Sequence, residues 1–200
     1  MEKMTSTGSL VVSQRKEWGE ILTGFETKNK YVVSDESGGT LYLAAEEDGS
    51  LLARWFLTAL RPFRIAIMAE DGHLALRVTR PFRFYFHRAE VLDPQGQVLG
   101  TIERRFSMLR RIYSVADSSG REVFQLFGPI LHPWTFQIKA DGVEYGKITK
   151  KWSGLLKEGF TDADNFGVTF PSDWDVRAKA IFLGAVFLID FVHFESKGNN

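Results

Sequence analysis

The residues best suited to metal chemistry lie in a twelve-residue segment that begins at Asp162 and ends at Asp173. Asp162 and Asp164 occupy the first and third positions of an EF-hand-like pattern, and Gly167 occupies the sixth. In such loops oxygen ligands surround Ca²⁺, and the glycine permits a sharp turn. Phe166 stands where a fifth-position ligand is expected, and Asp173 is shorter than the usual closing glutamate. The segment therefore predicts a weak calcium site, with a dissociation constant of about 10⁻⁴–10⁻³ M.

The same segment also fits a structural role. Aspartates in turns often accept hydrogen bonds from nearby backbone N–H groups. Phe166, Val168 and Phe170 alternate with smaller or polar residues, as residues on one face of a strand do. The residues alone do not choose between a calcium loop and a turn followed by a strand.

Two further stretches combine side chains that suit a lipid surface. Residues 104–111 place four arginines beside apolar side chains, and residues 51–60 include tryptophan, phenylalanine and leucine in a row. A basic residue near an anionic membrane contributes about 1 kcal/mol of binding free energy. Arginines on strands also commonly form a solvated face, so that interpretation stays open. The predicted membrane contacts are Trp55, Phe56, Leu57, Arg104, Arg105, Arg110 and Arg111.

Signals for chemical catalysis are weak. The four histidines show no metal-ligand spacing. The sequence contains no Gly-rich phosphate loop and no G-x-S-x-G nucleophile elbow. Because the sequence has no cysteine, it offers no thiolate zinc site, no cysteine nucleophile and no site for palmitate. We therefore expect a protein without enzymatic activity.

The composition indicates one globular domain. Of the 200 residues, 44% are hydrophobic and 14% are aromatic, which suffices for a substantial core. The 25 basic and 25 acidic residues cancel, so no nucleic-acid partner is expected. The polar N-terminal residues lack a signal-peptide core, and we expect a cytoplasmic protein. We predict a flexible lead-in at residues 1–10, a single domain at residues 11–196 and a tail at residues 197–200.

Regularly spaced glycines predict repeated β-hairpins. Asp-Gly and similar sequences favour the positive φ angles of tight hairpin turns, and the flanking residues alternate in polarity with period two. About a dozen strands are therefore expected between residues 31 and 170. The glycines, which recur every 22–24 residues, are Gly49, Gly72, Gly96, Gly120 and Gly142.

A helix is predicted over about residues 173–194, with Ser172 and Asp175 as a capping box. Its middle, residues 180–189, is apolar on every side. Ten residues rise only about 15 Å, whereas bilayer hydrocarbon is about 30 Å thick. Asp190 would add a charge to any longer span. We therefore favour a helix buried inside a closed barrel, whose interior needs filling, with membrane insertion in a second conformation as the alternative.

Several stretches resemble the phospholipid scramblase family. They are EILTGFETKNKY at residues 20–31, LYLAAEE at residues 41–47, and the long segment at residues 146–195 that begins GKITKKWSGLL. The similarity covers about residues 10–195. It implies a mainly β, tubby-like fold, in which a closed, twelve-stranded antiparallel β-barrel surrounds a buried, apolar C-terminal α-helix.

The resemblance also implies calcium-dependent, ATP-independent movement of phospholipids between membrane leaflets. We expect peripheral attachment at the inner, cytoplasmic face of an anionic phospholipid membrane. An alternative is a membrane- or phosphoinositide-binding tubby-like module with a regulatory or scaffolding role and no transport. The calcium segment of the family corresponds here to Asp162, Asp164, Phe166, Gly167, Val168, Phe170 and Asp173.

The sequence departs from better-known members of that family. It lacks their proline-rich N-terminal region, so recruitment of SH3 or WW domains is not expected. It also lacks their cysteine-rich segment, so the resemblance does not extend to acyl anchoring. The apolar residues 51–60 are a candidate replacement for a lipid anchor.

Overall fold

The structure is a computed structural model that describes residues 1–15, 29–47, 62–82, 86–150 and 165–194. The described part contains twelve β-strands, a short 3-10 helix at Glu2–Met4 and one long α-helix, α1 (Val176–His193). The strands, in chain order, are β1 (Ser9–Arg15), β2 (Lys30–Ser34), β3 (Thr40–Glu46), β4 (Phe63–Met68), β5 (Leu74–Arg80), β6 (Arg88–Leu92), β7 (Val98–Arg105), β8 (Arg111–Asp117), β9 (Glu122–Gly128), β10 (Thr135–Ala140), β11 (Val143–Lys150) and β12 (Asn165–Thr169).

Hydrogen bonds join these strands into one closed antiparallel barrel. Each strand pairs with its neighbours in sequence, and β1 completes the ring by pairing with β12. Val12 of β1, for example, pairs with Val33 of β2 on one side and with Phe166 of β12 on the other. All three side chains are buried, because alternate residues of each strand point into the barrel. The predicted closed, twelve-stranded antiparallel barrel is confirmed.

Tight turns connect the strands at one end of the barrel, here called the turn end. In the β6–β7 turn, the Asp93 carboxylate accepts hydrogen bonds from the backbone N–H groups of Gln95 and Gln97. Gly49, the first glycine of the predicted series, lies outside the described residues, whereas Gly38 has a φ of 87° in the β2–β3 turn. The predicted turn glycines that adopt positive φ angles, of 81–83°, are Gly72, Gly96, Gly120 and Gly142.

Helix α1 fills the barrel. Every residue from Lys179 to Val192 is buried, and its apolar side chains join those of the strands in one hydrophobic core. Gly184 allows the helix to approach the sheet closely, beside Val91 of β6 and Val78 of β5. The predicted burial of the C-terminal helix is confirmed.

The helix begins later than predicted because Asp175 caps it. The Asp175 side chain accepts a hydrogen bond from the backbone N–H of Arg177 at 2.6 Å, which satisfies one of the unpaired donors at the helix start. Asp173 therefore lies in the preceding turn. Within the described ranges, no helix combines the length and the apolarity that crossing a membrane requires.

The first residues of the chain close the turn end around α1. Buried Lys179 donates hydrogen bonds from Nζ to the carbonyl oxygens of Met4 at 3.1 Å, Thr5 at 2.8 Å and Ser172 at 2.7 Å. The side chain of Met4 belongs to the core. Residues 1–10 are thus packed against the helix and β1 instead of forming the predicted flexible lead-in. The reason is that a buried ammonium group requires these carbonyl acceptors.

Candidate functional site

The four arginines among the predicted membrane contacts lie at the end of the barrel opposite the turn end, here called the loop end. Because neighbouring strands are antiparallel, the connections after β1, β3, β5, β7, β9 and β11 all leave from this end. Arg104 and Arg105 end β7, and Arg110 and Arg111 lie at the start of β8. The remaining contacts fall between β3 and β4, outside the described residues, and stay predictions: Trp55, Phe56 and Leu57.

The structure separates the residues of the predicted calcium segment. Phe166, Gly167 and Val168 belong to β12, where Gly167 pairs with Val11 of β1 and Thr149 of β11. The side chains of Phe166 and Val168 are buried in the core. These positions therefore form barrel wall, and the strand interpretation of the sequence is confirmed for them.

The end of the predicted segment lies beyond this strand. Phe170 is buried and stacks on Trp174, with ring centroids 6.4 Å apart, and Asp173 is exposed in the turn before α1. A five-residue strand is about 17 Å long, so Asp173 lies at the turn end, away from the start of β12. Asp162 and Asp164 are outside the described residues, and their binding of calcium stays a prediction. In the described ranges, no three histidine, aspartate or glutamate side chains are grouped to hold a metal ion.

A row of basic side chains lines the inside of the barrel mouth at the loop end. Arg80 ends β5 on the same face as buried Val78, and its Nη2 lies 2.6 Å from Nδ1 of His87. Arg104 is the next basic residue around the mouth, since its backbone N–H donates to the carbonyl of His87 at 2.8 Å. It pairs in register with buried Tyr113, so its side chain lies on the inner face. Positive charge is thus concentrated along β5 to β7.

Burial, together with the positive charges of Arg80 and Arg104, lowers the pKa of His87 to about 4. The imidazole is therefore neutral near neutral pH. Its Nδ1 then accepts the hydrogen bond from Arg80. The two basic side chains can therefore lie in contact without repulsion between two positive charges.

The end of α1 contributes polar groups to the same mouth. The hydroxyl of Tyr113 lies 2.7 Å from Nε2 of His193, and burial raises the pKa of Tyr113. Asp190 accepts a hydrogen bond from the hydroxyl of Tyr31 at 3.1 Å and lies 4.0 Å from Nζ of Lys150. The helix is therefore fixed to the strands by polar contacts near its end as well as by apolar packing.

Arg111 holds two neighbouring connections together. Its guanidinium donates to the carbonyl oxygens of Pro129, His132 and Pro133 in the β9–β10 connection. The same group lies over the ring of Phe136, 4.6 Å from the ring centroid. This predicted lipid contact is thus engaged within the protein, where it ties the β7–β8 hairpin to the β9–β10 hairpin.

The other three arginines differ in their partners. Arg105 forms an ion pair with Glu122 at 2.6 Å on the outside of the barrel. Arg110 lies over the ring of Phe127, 5.2 Å from its centroid. Neither Arg104 nor Arg110 forms an ion pair with a described residue, so both charges are available to an anionic ligand.

Large apolar side chains project from the two hairpins that Arg111 connects. We call residues 106–110 and 129–134 the hairpin tips. Ile130 and Leu131 were not apparent as candidates from strand or helix periodicity. Their signal is an apolar pair between two prolines in a strand connection, where polar residues are the rule. The most exposed apolar side chains of the tips are Phe106 (80%), Met108 (88%), Leu109 (78%), Ile130 (60%) and Leu131 (87%).

Comparison with known proteins agrees with this architecture. Residues 1–196 match the sequence profile of the family described as Scramblase. The chain belongs to the Scramblase family. The matched residues include both the barrel and α1, so the loop end and the buried helix belong to one family domain.

Relatives of this Scramblase-family chain are named phospholipid scramblases. The chain is 35% identical to phospholipid scramblase 1 of Rattus norvegicus, with 100% of the chain and 63% of the relative covered. It is 34% identical to phospholipid scramblase 1 of Homo sapiens, with 100% and 67% covered, and 34% identical to phospholipid scramblase 2 of Bos taurus, with 98% and 71% covered. The chain thus spans slightly less than two thirds of the rat protein.

A solved structure supports the fold of this Scramblase-family chain. The X-ray structure of an Arabidopsis thaliana protein matches with a TM-score of 0.50 and 13% identity, over 94% of this chain and 93% of that chain. At this identity the match shows the fold alone. It agrees with the tubby-like barrel expected from the sequence.

Proposed function

We propose that this protein moves phospholipids between the leaflets of a membrane. The observation that carries the proposal is the match over the whole chain to proteins named phospholipid scramblases. The finer proposal is that movement depends on calcium, needs no ATP and involves no chemical catalysis. The protein would act from the cytoplasmic side of a membrane that contains anionic phospholipids.

The loop end is the part of the barrel best suited to meet lipid. The turn end is occupied by the N-terminal residues, which Lys179 holds through three carbonyl groups. The loop end carries exposed apolar tips and the basic side chains Arg104 and Arg110. Basic groups attract anionic headgroups, and apolar groups favour the bilayer interface.

Calcium would act through Asp162 and Asp164, which precede β12 in the sequence. Two carboxylates provide few of the six to eight oxygen ligands that Ca²⁺ prefers, so a weak site is expected. Phospholipid phosphates could complete the coordination, which would make calcium binding stronger at a membrane than in solution.

The test uses vesicles that contain a dithionite-sensitive fluorescent phospholipid in both leaflets. Without movement between leaflets, dithionite bleaches only the outer leaflet, about half of the dye. We expect bleaching well beyond half with protein and calcium, no effect of ATP, and a loss of calcium dependence in the double variant Asp162→Ala, Asp164→Ala. Bleaching that stays at half in calcium, with protein bound to the vesicles, would refute the proposed transport.

A second candidate function is membrane attachment without transport. Helix α1 fills the barrel interior, so a lipid path through the described barrel would require the helix to move. The same vesicles separate the two functions, since attachment alone gives flotation with the membrane but no additional bleaching. Insertion of α1 into the bilayer belongs to the transport proposal and would require the helix to leave the barrel.

A further inference from the structure

The hairpin tips expose apolar side chains to an unusual extent. Single exposed apolar residues are common, but five neighbouring ones on two adjacent connections indicate an interaction surface. Each of the five has at least 60% of its surface exposed. Phe124, by contrast, lies near the turn end of the same strand pair and packs against half-buried Trp174 and against Phe182 of the interior. The tips therefore extend beyond the core instead of covering it.

The two tips form one surface because Arg111 connects them. A guanidinium with three carbonyl acceptors from residues 129–133 fixes the β9–β10 connection relative to the start of β8. In the other tip, the hydroxyl of Ser107 accepts a hydrogen bond from the backbone N–H of Arg110 at 3.2 Å. These bonds order both connections before any partner arrives, so less conformational entropy is lost when the apolar side chains are buried.

The charges around the tips favour an anionic partner. Residues 104–111 contain four arginines and no acidic residue, and residues 128–135 contain no acidic residue either. Arg104 and Arg110 carry no ion pair with a described residue, and Lys139 lies on the same outer surface as Arg110, since both approach the ring of Phe127. Basic residues around projecting apolar side chains match the order of a bilayer, with phosphates outside and hydrocarbon beneath.

We propose that the hairpin tips are a two-pronged membrane anchor, in which Met108, Leu109 and Leu131 enter the interfacial region of a bilayer and Arg104 and Arg110 contact anionic phospholipid headgroups. The loop end then faces the membrane and the turn end points away from it. The inference rests on the proposed action at a membrane, and it does not depend on transport or on calcium.

Insertion is measured with single cysteines, because the chain has none of its own. Met108→Cys and Leu131→Cys are labelled with an environment-sensitive dye. Ser118→Cys, in the exposed β8–β9 turn at the turn end, is the control. On vesicles of phosphatidylcholine and phosphatidylserine without calcium, we expect a blue shift and stronger emission at positions 108 and 131 and no change at position 118. Equal responses at all three positions, or none at 108 and 131, would overturn the anchor.

Affinity is measured by vesicle sedimentation. The double variant Met108→Ser, Leu131→Ser is expected to bind about a hundredfold more weakly, because the loss of each apolar side chain weakens binding about tenfold. Arg104→Gln and Arg110→Gln are each expected to weaken binding roughly fivefold at low salt, and less in vesicles of phosphatidylcholine alone. All these side chains are exposed or at the rim, and circular dichroism checks that the variants fold. Unchanged affinity in the serine variant would refute the proposal.

Two further outcomes separate this anchor from other possibilities. A dye response that appears without vesicles and grows with protein concentration would show that a second copy covers the tips, which overturns the proposal. Dithionite bleaching on vesicles of the same composition, prepared with the fluorescent phospholipid and supplied with calcium, tests transport independently. Insertion without bleaching would uphold the anchor and refute transport, whereas bleaching without a dye response at positions 108 and 131 would refute the anchor alone.

Discussion

Gly184 provides a direct test of how closely α1 approaches the barrel wall. Alanine is favoured over glycine in a helix interior by about 1 kcal/mol, so Gly184→Ala would stabilise a helix whose face at this position is open. In this structure, however, a Cβ at position 184 would lie within 3.0 Å of a methyl group of Val91 and 3.5 Å from Val78. Ordinary carbon contacts are about 3.5–4.0 Å, so the helix or β6 must move.

Overpacking of a core costs about 1–3 kcal/mol, and a contact this close should fall in the upper part of that range, at about 2–3 kcal/mol. This cost exceeds the helix propensity gained by about 1–2 kcal/mol. We therefore expect Gly184→Ala to lower the free energy of unfolding by about 1–2 kcal/mol, or the melting temperature by roughly 3–6 °C for a domain of this size. Val91→Ala removes the clashing methyl group. In the double variant, the cost of Gly184→Ala should largely disappear, which gives a coupling energy of about 1–2 kcal/mol.

The assay is urea unfolding of the four proteins in this cycle, followed by tryptophan fluorescence. Val33→Ala, in β2, is the control partner, since it lies in the same core but is absent from the close contacts of Gly184. Its combination with Gly184→Ala should be additive within about 0.5 kcal/mol. A stabilising Gly184→Ala, or equal coupling to Val91 and Val33, would refute the close approach of α1 to β6.

Three other predictions address individual residues. Lys179→Met removes three hydrogen bonds of a charged donor and should cost about 3 kcal/mol in urea unfolding, whereas exposed Arg177→Met should change stability by less than about 0.5 kcal/mol; equal effects would contradict the role of Lys179. The pKa of His87 falls from 6.5 to about 4 on folding, so only the unfolded chain binds this proton between those values, and acidification from pH 6.5 to 4 should remove about 1–3 kcal/mol of stability. The stability of His87→Gln should lack this part of the pH dependence. If its unfolding free energy changes with pH as steeply as that of the wild type, His87 is not the cause. Phe166→Asp improves the EF-hand pattern but places a carboxylate in the core, so we expect thermal unfolding well below the wild-type temperature; a folded variant with tighter calcium binding would contradict the strand assignment.

The parts of the fold that depend on neighbouring residues were predictable from the sequence. Asp-Gly and related turns place Gly72, Gly96, Gly120 and Gly142 at positive φ angles, because turn chemistry is decided within four residues. The apolar helix was predictable because ten apolar residues are too short to span a bilayer and need another interior. Both inferences use only patterns among neighbouring residues and the length of the apolar segment.

The parts that depend on distant residues were not predictable in this way. Met4 contributes to the core and its carbonyl binds Lys179, which is 175 residues away, and no local pattern indicates that contact. Phe166 fits both a loop position and a strand position, and its pairing with Val12 of β1 and Lys150 of β11 decides between them. Arg111 was predicted to contact lipid only because the surrounding segment, residues 104–111, combines arginines with apolar residues. Its three carbonyl partners become visible only when two hairpins are adjacent.

The pairing of β1 with β12 has a consequence for the order of events during synthesis. Ser9 pairs with Thr169, so a growing chain can form its hairpins one after another but cannot close the ring until β12 has been made. Helix α1 emerges later still. Until then, β1 keeps an open edge and inward side chains such as Ile65 lack their partner, a state that favours aggregation. Chains that end between residues 170 and 193 should therefore accumulate as chaperone-bound or insoluble species, even though all twelve described strands are present.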